Sequence, residues 1–91
     1  MNQLEVLRTK LDDIDLEIIK LYEKRMEIVK DVINFKINNN LPILDSSRES
    51  KMLENNLKKI NNQEFKKYYQ DVLSGFLKAS KDLQKDIFNN K

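Results

Sequence analysis

The chain has 91 residues, with 17 Lys and Arg against 15 Asp and Glu for a net charge of +2, and it contains no Cys, no His and one Gly. Without Cys and His, zinc, haem and iron–sulfur sites lose their usual ligands, and Ser-His or Cys-His nucleophile pairs are excluded. The chain can form no disulfide and has no glycine-rich phosphate loop, and its near-balanced charge gives little support for nucleic-acid binding.

The composition predicts an all-α fold of three helices, each beginning with a capping box in which Asn or Ser precedes Glu by three residues. The boxes are Asn2 with Glu5, Ser46 with Glu49, and Asn61 with Glu64. Pro42 separates the first two helices. We predict one domain over 1–91, with a long helix 1 over about 3–38, a loop over 39–45, a short helix 2 over about 46–59 and a long helix 3 over about 62–88.

Helix 1 carries a seven-residue repeat typical of a coiled coil. We call it the α1 seam: Leu4, Leu7, Leu11, Ile14, Ile18, Leu21, Arg25, Ile28, Val32 and Phe35. A helix of about 36 residues is about 54 Å long, whereas a compact domain of this size is about 30 Å across. A kinked helix in a monomer would be the alternative, but the helix has no Pro or Gly to kink it. We therefore predict a homodimer in which helix 1 spans both protomers.

Three cations on helix 1 are candidates for binding an anion. Arg25 stands on the apolar α1 seam, where it must snorkel, pair with an acid or bind an anion. Lys36 lies about 16 Å farther along and about 20° from the same face, so a small dianion could contact both cations. Arg8 lies about 26 Å away in the other direction. It is either a solvated surface residue or a contribution to the site from the second chain of a dimer.

Polar residues also accompany the start of helix 2 and the apolar stripe of helix 3. Asp45 and Glu49 straddle the start of helix 2, where Glu49 could equally be only a capping residue. Ser80 and Gln84 lie one turn apart on helix 3, where they could be ordinary buried polar residues. As a set with the cations, these residues predict a polar cavity with excess positive charge, suited to a small carboxylate ligand.

The ordered motifs also resemble a known family. They are Leu7-Arg8-x-x-Leu11-x-x-Ile14-Asp15-x-x-Ile18-Ile19-x-Leu21, then Arg25, Val32-x-x-x-Lys36, Leu41-Pro42-Ile43-x-Asp45-x-x-Arg48-Glu49, and finally Ser80 and Gln84. This set resembles the AroQ-class chorismate mutases, of the all-helical, stand-alone monofunctional type. The resemblance implies an intertwined homodimer of three-helix chains with two active sites, each shared by both protomers. It also implies conversion of chorismate to prephenate in phenylalanine and tyrosine biosynthesis, on the shikimate pathway.

The resemblance implies roles for the cations and for one amide. Arg25, together with Arg8 from the partner chain, would bind the two carboxylates of chorismate, which suits the planar fork of the guanidinium. Lys36 and Gln84 would donate hydrogen bonds to the ether oxygen of the enolpyruvyl group.

The remaining implied site residues surround the substrate ring. Glu49 and the backbone at Asp45 would bond the ring hydroxyl, Ser80 would bond a carboxylate, and Arg48 would line the pocket. The catalytic residues are then Lys36, Gln84, Arg25 and Glu49.

The implied chemistry fits a chain without Cys and His. The rearrangement is pericyclic, so the isomerase needs no nucleophile, general base, metal or cofactor, and we expect none. The protein would hold the substrate in a near-attack conformer and stabilise the negative charge that develops on the ether oxygen.

Two other functions stay open. One is an isochorismate–pyruvate lyase on the same scaffold, and the other is a non-catalytic helical dimer adaptor. RNA binding has less support, because the basic residues are interleaved with acids. The chain contains no apolar run of signal-peptide or membrane length, so we expect a cytoplasmic protein that binds neither membranes nor nucleic acid. We also expect no fused second domain, and the sequence does not tell whether a regulatory partner enzyme controls it.

Overall fold

The computed structural model describes residues 2–90, which form three α-helices joined by short loops. α1 spans Gln3–Asn38, α2 spans Ser46–Lys58 and α3 spans Gln63–Asn89. Residues 2–90 include no strand, so the prediction of an all-α chain is confirmed. α2 ends one residue earlier than predicted, and α3 begins and ends one residue later. Across the same residues, no helix combines the length and the apolar character needed to cross a membrane.

Side-chain caps fix the starts of α1 and α2. The Asn2 side chain accepts a hydrogen bond of 2.8 Å from the Glu5 backbone N–H, as predicted. The predicted cap of α2 was wrong, since Asp45 takes the place assigned to Ser46 and accepts from the Arg48 backbone N–H at 3.0 Å. Asp is a common residue at this position, because its side-chain oxygen can accept from a free N–H of the first helical turn.

The start of α3 also differs by one residue from its prediction. Its cap is Asn62 and not Asn61, and the Asn62 side chain accepts from the Glu64 backbone N–H at 3.0 Å. The helix then continues through Gly75 without a break. A Cβ atom added at Gly75 would meet no atom within 4 Å, so this glycine is not required by a close packing contact within the chain.

α3 is the central helix, because both α1 and α2 pack against it. The chain is elongated, with extents of 56 × 27 × 15 Å and a radius of gyration of 16.7 Å. A compact domain of this length has a radius of gyration of about 12 Å. Every residue from 7 to 24 of α1 is exposed, so only the C-terminal part of α1 packs within the chain.

Very little of the chain is buried. Among residues 2–90 only Ile33, Leu73 and Ser80 are buried, at 0%, 2% and 7% exposure. The apolar side chains of the α1 seam are 41% to 62% exposed. The face of α1 that packs inside the chain is instead a second one, which the sequence analysis did not predict: Met26, Val29, Ile33 and Ile37.

Candidate functional site

A cavity of about 150 Å³ lies where the C-terminal halves of α1 and α3 meet the start of α2 and the loop before it. Seven of the eight predicted site residues line it, and Arg8 does not. The polar and charged lining residues are Arg25, Lys36, Asp45, Arg48, Glu49, Ser80, Lys81 and Gln84. The apolar lining residues are Val29, Val32, Ile43, Leu44, Met52 and Leu77.

Arg25 is held at the junction of all three helices. From α1 its guanidinium donates to the Ser80 hydroxyl on α3, lies 3.9 Å from the Met52 sulfur on α2, and stands 5.8 Å from the centre of the Phe76 ring. Ser80 in turn donates to the Phe76 carbonyl at 2.9 Å. Within residues 2–90 no carboxylate forms a salt bridge with Arg25. Its charge is therefore positioned by neutral groups and left available to an anion.

Lys36 and Gln84 lie at the other end of the cavity. Lys36 Nζ donates to the Ile43 carbonyl at 2.8 Å and lies 3.5 Å from Gln84 Oε1. Gln84 Nε2 donates to the Ser80 carbonyl at 3.2 Å. An ammonium has three protons and an amide NH₂ has two, so each group keeps one N–H that these bonds do not use.

Asp45 and Arg48 lie at the exposed end of the cavity, where α2 begins. The Asp45 carboxylate is engaged as the cap of α2, which ties the loop to the first turn of that helix. Arg48 is exposed in the first turn. Its side chain lines the cavity without a salt bridge among the described residues.

Glu49 faces a residue that the sequence analysis missed. Its carboxylate pairs with Lys81 Nζ at 3.1 Å, with side chains 26% and 40% exposed. Lys81 is four residues after Leu77 and three before Gln84, so it lies on the same side of α3 as those two cavity residues. That spacing is the one signal in the sequence that points to it.

Arg8 is exposed on the part of α1 that packs against nothing in its own chain. The structure therefore does not bring Arg8 into the cavity of the chain that carries it.

The cavity carries more positive than negative charge. Four cations line it against the two carboxylates of Asp45 and Glu49. Such a balance is suited to a small dianion that forms charge-assisted hydrogen bonds with the cations. Among the residues that the structure describes, no group of three or more Asp, Glu, His or Cys side chains is arranged to hold a metal ion.

A larger cavity of about 440 Å³ lies on the other side of Arg25. Its lining is mostly apolar, including Leu21, Leu73 and Phe76, and Arg25 is the one charged side chain in it. The smaller cavity is the candidate site, because cations, carboxylates and the Gln84 amide converge there. The larger one is an apolar groove that joins α3 to the exposed α1 seam.

Comparison with known proteins gives a consistent result. A family model described as chorismate mutase type II matches residues 7–85. The T-protein of Haemophilus influenzae is 41% identical over 54 residues, which cover 59% of this chain and 14% of that protein. The bifunctional chorismate mutase/prephenate dehydratase of Buchnera aphidicola subsp. Schizaphis graminum is 41% identical over 63 residues, 67% of this chain and 16% of that protein. The chain thus spans a small part of the length of these relatives.

Proposed function

The chain belongs to the chorismate mutase type II family, and we propose that it converts chorismate to prephenate in aromatic amino acid biosynthesis. The observation that carries the proposal is the small cavity into which Arg25, Lys36 and Gln84 all present hydrogen-bond donors. The reaction breaks one C–O bond and forms one C–C bond within a single molecule. What the protein supplies is therefore geometry and charge.

Substrate binding would use the carboxylates. Arg25 has no carboxylate partner among the described residues, and Ser80 and Met52 fix its guanidinium in the cavity. It would bind one substrate carboxylate, and Arg8 of the second chain would bind the other. Ser80 would turn its hydroxyl proton from the Phe76 carbonyl to the bound carboxylate, while still accepting from Arg25.

Rate acceleration would come from the opposite end of the cavity. The ether oxygen of chorismate gains negative charge as its C–O bond breaks. The unused N–H groups of Lys36 and Gln84 would donate to that oxygen, and such bonds are stronger in the transition state than in the ground state. Both groups are already held by bonds to Ile43 and Ser80, so little reorganisation is needed when the charge develops.

The substrate ring would lie at the start of α2. The Glu49 carboxylate would accept a hydrogen bond from the ring hydroxyl, and the backbone at Asp45 would donate to it. Arg48 would line the exposed side of the same pocket and add positive charge opposite the dianion.

We further propose that the active form is a homodimer, in which the α1 seam of each chain packs against the other chain. The accessible surface is 7461 Å², whereas a compact protein of 10.9 kDa exposes about 5,600 Å². The excess of about 1,900 Å² per chain, or about 3,800 Å² for two chains, lies within the total area that an obligate homodimer typically buries. The α1 seam exposes apolar side chains, and an apolar groove lies beside Arg25. Both features favour a second copy of this chain as the partner that covers them.

This dimer would also complete the active site. One chain leaves Arg8 exposed on the projecting half of α1 and leaves its own cavity without it. A cavity of about 150 Å³ is smaller than the roughly 300 Å³ at the low end for ligand sites. A second α1 laid along the groove would bring the partner's Arg8 toward Arg25 and add walls to the site.

The test is an assay of the purified chain with chorismate and, separately, with isochorismate. We expect chorismate absorbance to fall and prephenate to be the product, with no salicylate or pyruvate from isochorismate. Salicylate and pyruvate would identify a lyase instead. No turnover of either substrate would favour a non-catalytic adaptor, a reading that the polar cavity already argues against.

A further inference from the structure

We propose that Lys81 is a positioning residue that holds the Glu49 carboxylate in the orientation that accepts the ring hydroxyl of the substrate. This inference rests on the proposed function, and it adds a residue to the site. Lys81 Nζ lies 3.1 Å from Glu49 Oε2, and both side chains line the small cavity.

The pair differs from the other salt bridges of the chain. Within residues 2–90 it is the only one that joins two helices, since the other four connect residues three or four positions apart on one helix. Those four involve side chains that are 50% to 79% exposed. The Lys81 and Glu49 side chains are 40% and 26% exposed. Partial burial reduces solvent screening, so this pair is better able to fix a geometry.

Glu49 needs such a partner to be an ordered acceptor. Its backbone is fixed in the first turn of α2, where its N–H bonds to the Asp45 carbonyl at 3.2 Å. The side chain beyond that point has several rotatable bonds, and ordering a Glu side chain costs conformational entropy. Among the described residues, Lys81 is the one side chain that forms a salt bridge with this carboxylate. The pair therefore orders the acceptor before the substrate arrives.

The expected kinetic effect follows from where the hydroxyl lies. The ring hydroxyl is not at the bond that breaks or the bond that forms, so a bond to it stabilises substrate and transition state alike. Loss of such uniform binding raises KM and leaves kcat nearly unchanged. Lys36 and Gln84 variants should instead lower kcat, which separates a positioning role at Glu49 from a role at the ether oxygen.

The first experiment compares Lys81→Met and Lys81→Gln with Lys81→Arg in the full chain. We expect the two neutral variants to raise KM for chorismate by roughly threefold to tenfold, with kcat within about twofold of the wild type. Lys81→Arg keeps a cation in reach of Glu49 and should restore most of the wild-type KM. The matched control is Lys78→Met, which removes a cation one turn away that pairs with Asp82 on the solvent face and lies outside the cavity.

The second experiment asks whether the effect passes through the hydroxyl. Two bicyclic dicarboxylates that mimic the transition state, one with the ring hydroxyl and one without it, serve as inhibitors. Lys81→Met should weaken inhibition by the hydroxyl-bearing compound by a similar threefold to tenfold factor, and leave inhibition by the other within about twofold. Helicity and dimer mass equal to the wild type show that each variant is folded.

The outcomes separate the two proposals. If the wild type turns over chorismate but both neutral variants keep its KM, the role of Lys81 is refuted and the mutase function stands. If both inhibitors weaken equally, Lys81 acts only as a general cation and the positioning role is wrong. If the wild type neither turns over chorismate nor binds either inhibitor, the proposed function fails, and the inference fails with it.

Discussion

Lys36 Nζ on α1 lies 3.5 Å from Oε1 of Gln84, a residue 48 positions later in the chain on α3. The contact joins the C-terminal halves of the two long helices at one end of the small cavity. It also sets the direction of the amide, because an Oε1 that accepts from Lys36 leaves Nε2 as the donor. The two groups that we assign to the ether oxygen are thus ordered by one another.

Lys36→Ala should lower kcat by about 10² to 10³, since it removes the donor that we propose for the charge developing on the ether oxygen in the transition state. The measurement is prephenate formation by a variant whose helicity and dimer mass match the wild type. Lys30→Ala is the control, because Lys30 pairs at 3.9 Å with Glu27 on the same helix and its side chain is 50% exposed. Near-normal turnover by folded Lys36→Ala would contradict the assignment.

Gln84→Glu should be active only toward acid. An ionised carboxylate cannot donate a hydrogen bond, so the variant works only where Glu is protonated. The Lys36 ammonium beside it favours the ionised form, which moves the active range to lower pH. A pH–rate profile checks this, with Gln84→Ala as a control whose loss should not depend on that titration. A flat profile for Gln84→Glu would remove this residue from the ether oxygen.

Arg8→Ala and Lys36→Ala should complement one another when mixed. In the proposed dimer, each variant alone would lack a required group in both of its sites. In a mixed dimer, the site built on the Arg8→Ala chain keeps its own Lys36 and receives Arg8 from the other chain. A 1:1 mixture that exchanges subunits freely should recover about a quarter of the wild-type activity. No recovery despite subunit exchange, followed by mass-labelled chains, would show that the sites are not shared.

Ile14→Glu should disrupt the dimer, because it places a charge in the middle of the α1 seam, where Ile14 is 55% exposed in the single chain. Analytical ultracentrifugation should find two chains for the wild type and a single or partly unfolded chain for the variant. Lys20→Glu, at a side chain 69% exposed and away from the α1 seam, is the control. A wild-type chain that sediments alone at micromolar concentration would refute the dimer.

Gly75→Ala should stabilise the protein by up to about 1 kcal/mol, because alanine restricts the unfolded chain and suits a helix interior better than glycine. The added methyl group meets no atom of its own chain within 4 Å. Thermal unfolding at one fixed protein concentration measures the gain. We expect unchanged activity and a raised melting temperature. A lowered melting temperature would indicate that Gly75 packs against the second chain.

The sequence was a good guide wherever a pattern lies on one helix. The start and the length of α1 follow from its cap and its helical spacing, and the same spacing puts Arg25 and Lys36 on the side of α1 that lines the small cavity. It was less informative about which face of α1 packs inside the chain. The α1 seam has the longer apolar repeat, whereas the face around Ile33 is shorter and includes fewer apolar side chains.

The sequence also did not predict the salt bridge between side chains on different helices. Lys81 meets Glu49 across the α2–α3 contact, and no periodicity within one helix encodes that distance. The cap of α2 was misplaced for a related reason. Asp45 and Ser46 both suit a cap by residue type, and only the folded backbone decides which side chain reaches the Arg48 N–H.

The near-absence of buried residues has a consequence for how the protein behaves when diluted. With only Ile33, Leu73 and Ser80 buried among residues 2–90, a single chain has almost no core to hold it folded. In the proposed dimer, folding and association would then be one equilibrium governed by mass action, and the melting temperature would depend on protein concentration. Activity per chain should accordingly decline as the enzyme is diluted below its dissociation constant, and chorismate analogues that bind across both chains should restore it.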